Sequence, residues 1–174
     1  MQKDATYVSL NYENINYSGQ EATYGVTADR QTIMIGPDPW LFRITGGDVD
    51  GRFDFMEGTI TYLQGPPLHL HYEQDDTFFV IEGTLTVQVG DELFELHAGD
   101  LVCAPKGVPH TFANVGKEPV RVINIMTPGG FDRVLEDYTS LPAGPPDPQV
   151  LEEFGQKHKL AIVGPSIPMR LGLV

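Results

Sequence analysis

The sequence predicts an all-β barrel followed by short helices. Three observations carry that expectation. The 174 residues include 19 glycines and 14 prolines, and these fall at short intervals. Such punctuation marks many short strands joined by tight turns. A central run of residues reads as successive hairpins. Helical spacing appears only after Pro128-Gly129-Gly130.

Residues 1–30 are polar and weakly patterned, and they read as an N-terminal arm that packs on the barrel or on a partner subunit. Residues 31–128 read as the barrel. Its first strands are expected at Thr32–Met34, Trp40–Thr45, Arg52–Thr61 and Leu68–Tyr72. The central meander follows. Phe78–Glu82 and Thr84–Val89 meet at Gly83, and Gly90-Asp91 suits a two-residue hairpin turn. Leu93–Leu96 and Leu101–Ala104 are joined by Ala98-Gly99-Asp100. Pro105-Lys106-Gly107 suits a type I turn with Pro in second place and Gly in fourth. His110–Asn114 and Val120–Met126 close the series, with Gly116-Lys117 between them.

Phe78-Phe79-Val80-Ile81 is apolar on both faces, so a covering layer is expected on its outer side. Residues 129–174 read as a helical extension packed on the barrel, across its mouth or against its outer face. Phe131, Val134, Leu135 and Tyr138 have helical spacing, as do Val150, Leu151 and Phe154. Asp147 can cap the second helix. The apolar tail from Leu160 to Val174 is expected to pack.

Charge narrows the function classes. Lys and Arg number 11 against 24 Asp and Glu, a formal charge of -13. An acidic chain repels phosphate backbones and anionic membranes, so neither nucleic acid nor membrane is an expected partner. A small-molecule substrate is. The lone Cys103 suits a reducing compartment and reads as a small buried residue on a strand. With no apolar leader at the N-terminus, a cytoplasmic location is expected.

The chemistry concentrates in two blocks. His69 and His71 stand two apart, so on a strand they share a face. His110 opens a later strand that a barrel can bring beside them. Asp76 lies five residues after His71 and can add a carboxylate oxygen. Three imidazoles and one carboxylate can hold one divalent transition metal (Fe, Mn, Ni, Co, Cu or Zn) with positions left open. Glu73 and Asp75 are fallback ligands. His97 and His158 read as solvated. Imidazoles inside a barrel are costly unless something binds them.

Both blocks resemble the signature motifs of the cupin superfamily. The second matches throughout: Gly99, Pro105, Gly107, His110 and Asn114. The first departs twice, because only three residues separate Gly65 from His69 and Asp76 replaces the usual Glu; Gly83 fits the closing Gly. The resemblance implies a double-stranded β-helix, or jelly-roll, with one metal in its mouth and a homodimer as the assembly. Pro128-Gly-Gly-Phe131 leading into acidic helices resembles bacterial quercetin 2,4-dioxygenases. That implies dioxygen insertion into a flavonol-like or other enol-bearing molecule, with Asp76 as catalytic base and Tyr62, Phe78, Val80, Phe112 and Met126 lining the pocket. The alternatives are a non-catalytic binding cupin and a metal-dependent isomerase or decarboxylase.

Overall fold

The computed structural model describes residues 31–141 and 147–174. The expected arm lies outside the described residues, as does most of the Pro-rich link between the helices. Eleven strands form two antiparallel sheets among the described residues. They are β1 (Thr32–Ile35), β2 (Asp38–Ile44), β3 (Asp54–Ile60), β4 (Leu68–His71), β5 (Asp75–Glu82), β6 (Thr84–Val89), β7 (Glu92–His97), β8 (Leu101–Ala104), β9 (His110–Ala113), β10 (Val120–Thr127) and β11 (Leu160–Gly164). One sheet runs β1-β2-β3-β10-β5-β8 and the other β11-β4-β9-β6-β7. This is the double-stranded β-helix that the sequence predicts. Three helices follow the main strands: α1 (Phe131–Thr139), α2 (Pro148–His158) and α3 (Ile167–Arg170). None is long and apolar enough to cross a membrane.

The core lies between the sheets because inward positions alternate with outward ones along each strand. On β10, Val120, Val122, Asn124 and Met126 all point inward and are buried. They pack with Phe42, Met56, Ile60, Phe78, Val80, Leu85 and Phe112. Asn124 is the one polar residue in that row.

Local chemistry explains the connections. A Cβ on Gly65 would lie 2.0 Å from the Phe112 carbonyl oxygen, so only glycine lets the chain pass there. The turn after β8 departs from the type I expectation. Val108 N–H bonds to Pro105 O at 3.1 Å, and Gly107 sits third in the turn with φ +78°. A left-handed third residue is the type II pattern, which explains the glycine. Gly107 N–H also donates to His71 O at 2.7 Å and ties this turn to β4. The Asp147 side chain caps α2 by accepting from Gln149 N at 2.8 Å, as expected.

Three expectations need correction. Cys103 is on a strand but exposed, because β8 is a sheet edge that turns Leu101 and Cys103 outward. The outer side of β5 has no full cover among the described residues: Phe79 is 36% exposed, and its neighbour Leu101 is 63% exposed. The C-terminal helices pack elsewhere, α2 against β11 and α1 beside β1. His158 is not solvated. Its side chain is 9% exposed, stacks on Phe154 and lies 2.8 Å from Asp137 Oδ2. His97 is exposed, as expected.

The tail does more than pack. β11 pairs with β4 from Leu68 to His71, placing Leu160 opposite His71 and Ile162 opposite His69. On its other side β4 pairs with β9 only at His69 and His110. The strand bearing two of the histidines therefore takes most of its ladder from the C-terminal segment.

Candidate metal centre

β4, β5 and β9 bring His69, His71, Asp76 and His110 together, with one ligand atom from each within 4.8 Å of the others. The imidazole centroids are 4.6 to 5.4 Å apart. His71, Asp76 and His110 are buried. Glu73 is exposed, and Asp75 accepts from Lys106 N at 2.9 Å, so neither fallback ligand joins the cluster.

The backbone fixes two tautomers. His69 Nδ1 lies 2.9 Å from Pro67 O, and His110 Nδ1 lies 2.9 Å from Val108 O. A carbonyl oxygen only accepts, so each Nδ1 must carry a proton and donate it. Each Nε2 then keeps its lone pair for another partner. The two histidines reach back two residues in the same way.

Burial also keeps two rings neutral. It pushes His69 down to about 3 and His71 down to about 4; His110 adds to the fall in both, and Asp76 opposes it. For His110, burial is the largest single influence and lowers the pKa, but Asp76 and the Val108 carbonyl together outweigh it and the net direction is upward. Asp76 Oδ2 is 3.3 Å from His110 Nε2, an attraction only when that ring is protonated.

The donor set fits a metal ion. Both nitrogens of His71 and Nε2 of His110 are buried with no hydrogen-bond partner. Buried polar atoms in folded proteins almost always have one. Neutral imidazoles and a carboxylate oxygen at this spacing can each reach an ion at about 2.0–2.2 Å with small side-chain rotations. Such an ion would give a partner to one nitrogen of His71 and to Nε2 of His110.

Residues unforeseen in the sequence support the cluster. Asn124 donates to Asp76 Oδ1 and, at 3.1 Å, to Thr77 O. Phe131, the first residue of α1, sets its ring edge-on to His71 at 5.5 Å between centroids. Asp54 holds that helix start by accepting from Gly130 N and Phe131 N, both at 2.7 Å. Gln74 bonds Pro128 O at 2.9 Å and closes the loop beside the site. The only sequence sign of these roles was the polar Asn124 in an apolar row.

Of the expected pocket residues, Phe78, Val80, Phe112 and Met126 are buried in the core behind the histidines. Tyr62 is exposed beyond the end of β3.

Residues 58–126 match the family model of the cupin domain. An uncharacterized protein of Methanocaldococcus jannaschii is 30% identical over 56 residues, which are 32% of this chain and 45% of that protein. The chain spans about half the length of the curated relatives it matches. Among solved structures, KdgF from a Halomonas species aligns with TM-score 0.57 at 16% identity, covering 65% of this chain and 99% of that one. A "predicted oxalate decarboxylase" from Thermotoga maritima aligns with TM-score 0.54 at 12% identity, covering 60% and 98%. At such identities these structures support the fold alone.

Proposed function

We propose that the cupin domain formed by residues 58–126 is a metal-dependent enzyme, acting as a dioxygenase on a flavonol-like or other enol-bearing small molecule. The carrying observation is the buried cluster of three imidazoles and one carboxylate, with nitrogens that have no other partner. His69, His71, His110 and Asp76 would hold one divalent transition metal. Such an ion supplies Lewis acidity toward an ionised enol oxygen. The rest falls to the chain. Neutral His69 and His71 offer lone pairs at neutral pH without first losing a proton. Asp76 Oδ2 faces the imidazoles and, when it does not ligate the ion, is placed to accept the enol proton. Phe131 covers one side of His71, and Phe78 and Phe112 seal the interior against water. A homodimer is part of the same proposal and is read by sedimentation.

The depth of packing favours a second reading. Phe78, Val80, Phe112 and Met126 fill the space behind the histidines, which suits a small acid and an isomerase or decarboxylase reaction.

Elemental analysis followed by two assays separates these. Metal-dependent oxygen uptake with a flavonol supports the dioxygenase. Turnover of small carboxylic acids without oxygen uptake supports the second reading. Bound metal without either turnover leaves a binding cupin. His110→Ala should abolish stoichiometric metal; if it keeps a full equivalent, the site assignment fails.

A further inference from the structure

We infer that Asn124 is a positioning residue: it holds Asp76 by one oxygen so that only the other faces the three imidazoles. The inference rests on the metal reading above and adds to it a residue on another strand.

The geometry identifies the amide's orientation. Asn124 Nδ2 meets both Asp76 Oδ1 and Thr77 O. The Thr77 carbonyl can only accept, so the atom between them is the NH2 nitrogen. Its two hydrogens serve the two oxygens, one each. Asp76 Oδ1 is thus an acceptor and is occupied. Oδ2 remains, 3.3 Å from His110 Nε2.

Position explains why this tether is needed. Asp76 pairs across the sheet with Met126, and Asn124 pairs with Phe78, so the amide approaches the carboxylate diagonally along the inner face. Asn124 is 2% exposed and surrounded by apolar side chains of the same row. A buried amide in such a row is destabilising unless its polar atoms are matched. Here its donors are matched by the carboxylate and the strand that carries it. With Oδ1 held, Asp76 can offer a metal one oxygen, not two, and its short side chain cannot swing away from the imidazoles.

Two substitutions isosteric with each other isolate the donor. Asn124→Val removes it and Asn124→Thr keeps one. The probes are Zn2+ and Co2+ added to the metal-free full chain. Asn124→Val should bind Co2+ about 10- to 100-fold more weakly than the natural chain, the usual loss when a ligand's hydrogen-bond partner is removed. Its Co2+ absorption spectrum should shift toward that of Asp76→Ala. Asn124→Thr should recover most of the affinity. In an Asp76→Ala background, Asn124→Val should have little further effect, because the residue acts through Asp76. Natural affinity and an unchanged Co2+ spectrum in Asn124→Val would overturn the inference while leaving the metal site standing. If the natural chain takes up neither ion, the metal reading itself fails and this one with it. Should Asn124→Val not fold, the side-chain amide NMR signals of Asn124 in the natural chain decide. They should move when Zn2+ binds, and signals that stay put refute the tether.

Discussion

Two buried aspartates stand at the same level of one sheet, on either side of Met126: Asp54 on β3 and Asp76 on β5. Their exposures are 0% and 4%. Their partners differ. Asp54 accepts three backbone N–H groups, from Gly46 at 2.6 Å and from Gly130 and Phe131 at 2.7 Å. Burial still raises its pKa, with those amides pulling the other way. Asp76 has only Asn124 on Oδ1, and its second oxygen looks toward imidazoles. A buried carboxylate saturated by backbone amides is a structural clamp. One with an oxygen left facing imidazoles is free for the metal proposed above. The sheet bears a similar burial at both places, and what surrounds each carboxylate decides its use.

The widest test of that contrast is Asp54→Ala. It leaves three amides unmatched and releases the start of α1, including Phe131. Unfolding by urea should show a loss of about 4.5 kcal/mol or more, since three bonds to a charged group, each worth about 1.5–3 kcal/mol, are lost. Asp76→Ala should act the other way round. The metal-free protein should lose less, about 1–2 kcal/mol, because only one buried donor, that of Asn124, is left unmatched. Its metal affinity should fall about 100-fold, or roughly 2.7 kcal/mol. Isothermal titration with Zn2+ reads the second figure. Equal destabilisation of the metal-free protein by both substitutions would erase the distinction.

Acid sharpens the comparison at a smaller scale. His69 and His71 have folded pKa values of about 3 and about 4, below the ordinary 6.5. Between pH 6.5 and 4 the unfolded chain binds protons that these two rings refuse in the fold. Stability of the metal-free protein must therefore fall as pH drops below 6.5. His110, raised by Asp76, returns part of this by holding its proton in the fold. The two rings alone account for up to about 4 kcal/mol between pH 7 and 5, and urea titrations should show that loss less what His110 returns. Asp76→Ala should steepen the loss, because its charge favours the protonated form of all three rings. A pH-independent stability over that range would contradict the neutral state of the two rings.

Much of this was legible in the residues. His69-Leu70-His71 fixes two imidazoles on one face by strand alternation alone. Pro105, Gly107, His110 and Asn114 placed the third imidazole and the turn before it. The positions of β6 and β8 follow directly from their bounding glycines and prolines. What escaped depends on contacts distant in sequence. β11 has no alternation to announce it, and its role arises because β4 needs a second partner. Asn124 and Asp54 are single polar residues whose partners lie 48 and up to 77 positions away. Cys103 and His158 were misplaced for the same reason, since burial depends on which element packs where, and a residue's own neighbours do not report it.

A third aspartate provides the finest comparison and the smallest expected effect. Asp147 and Asp54 do the same task, accepting N–H groups at a helix start. Asp147 does so from its own helix, with one bond to Gln149 N, and it is exposed. Asp54 does so for α1 from a neighbouring strand, inside the protein. Water can replace the Asp147 side chain but cannot reach the amides around Asp54. Asp147→Ala should cost about 1 kcal/mol, the usual value for losing a cap, and should leave Zn2+ affinity unchanged. Urea unfolding and the same titration measure both. If Asp147→Ala proved as damaging as Asp54→Ala, burial would not be what separates them. The capping bonds would then be the whole effect, and the reading of Asp54 as a clamp set by its dry surroundings would give way to one based on helix starts alone.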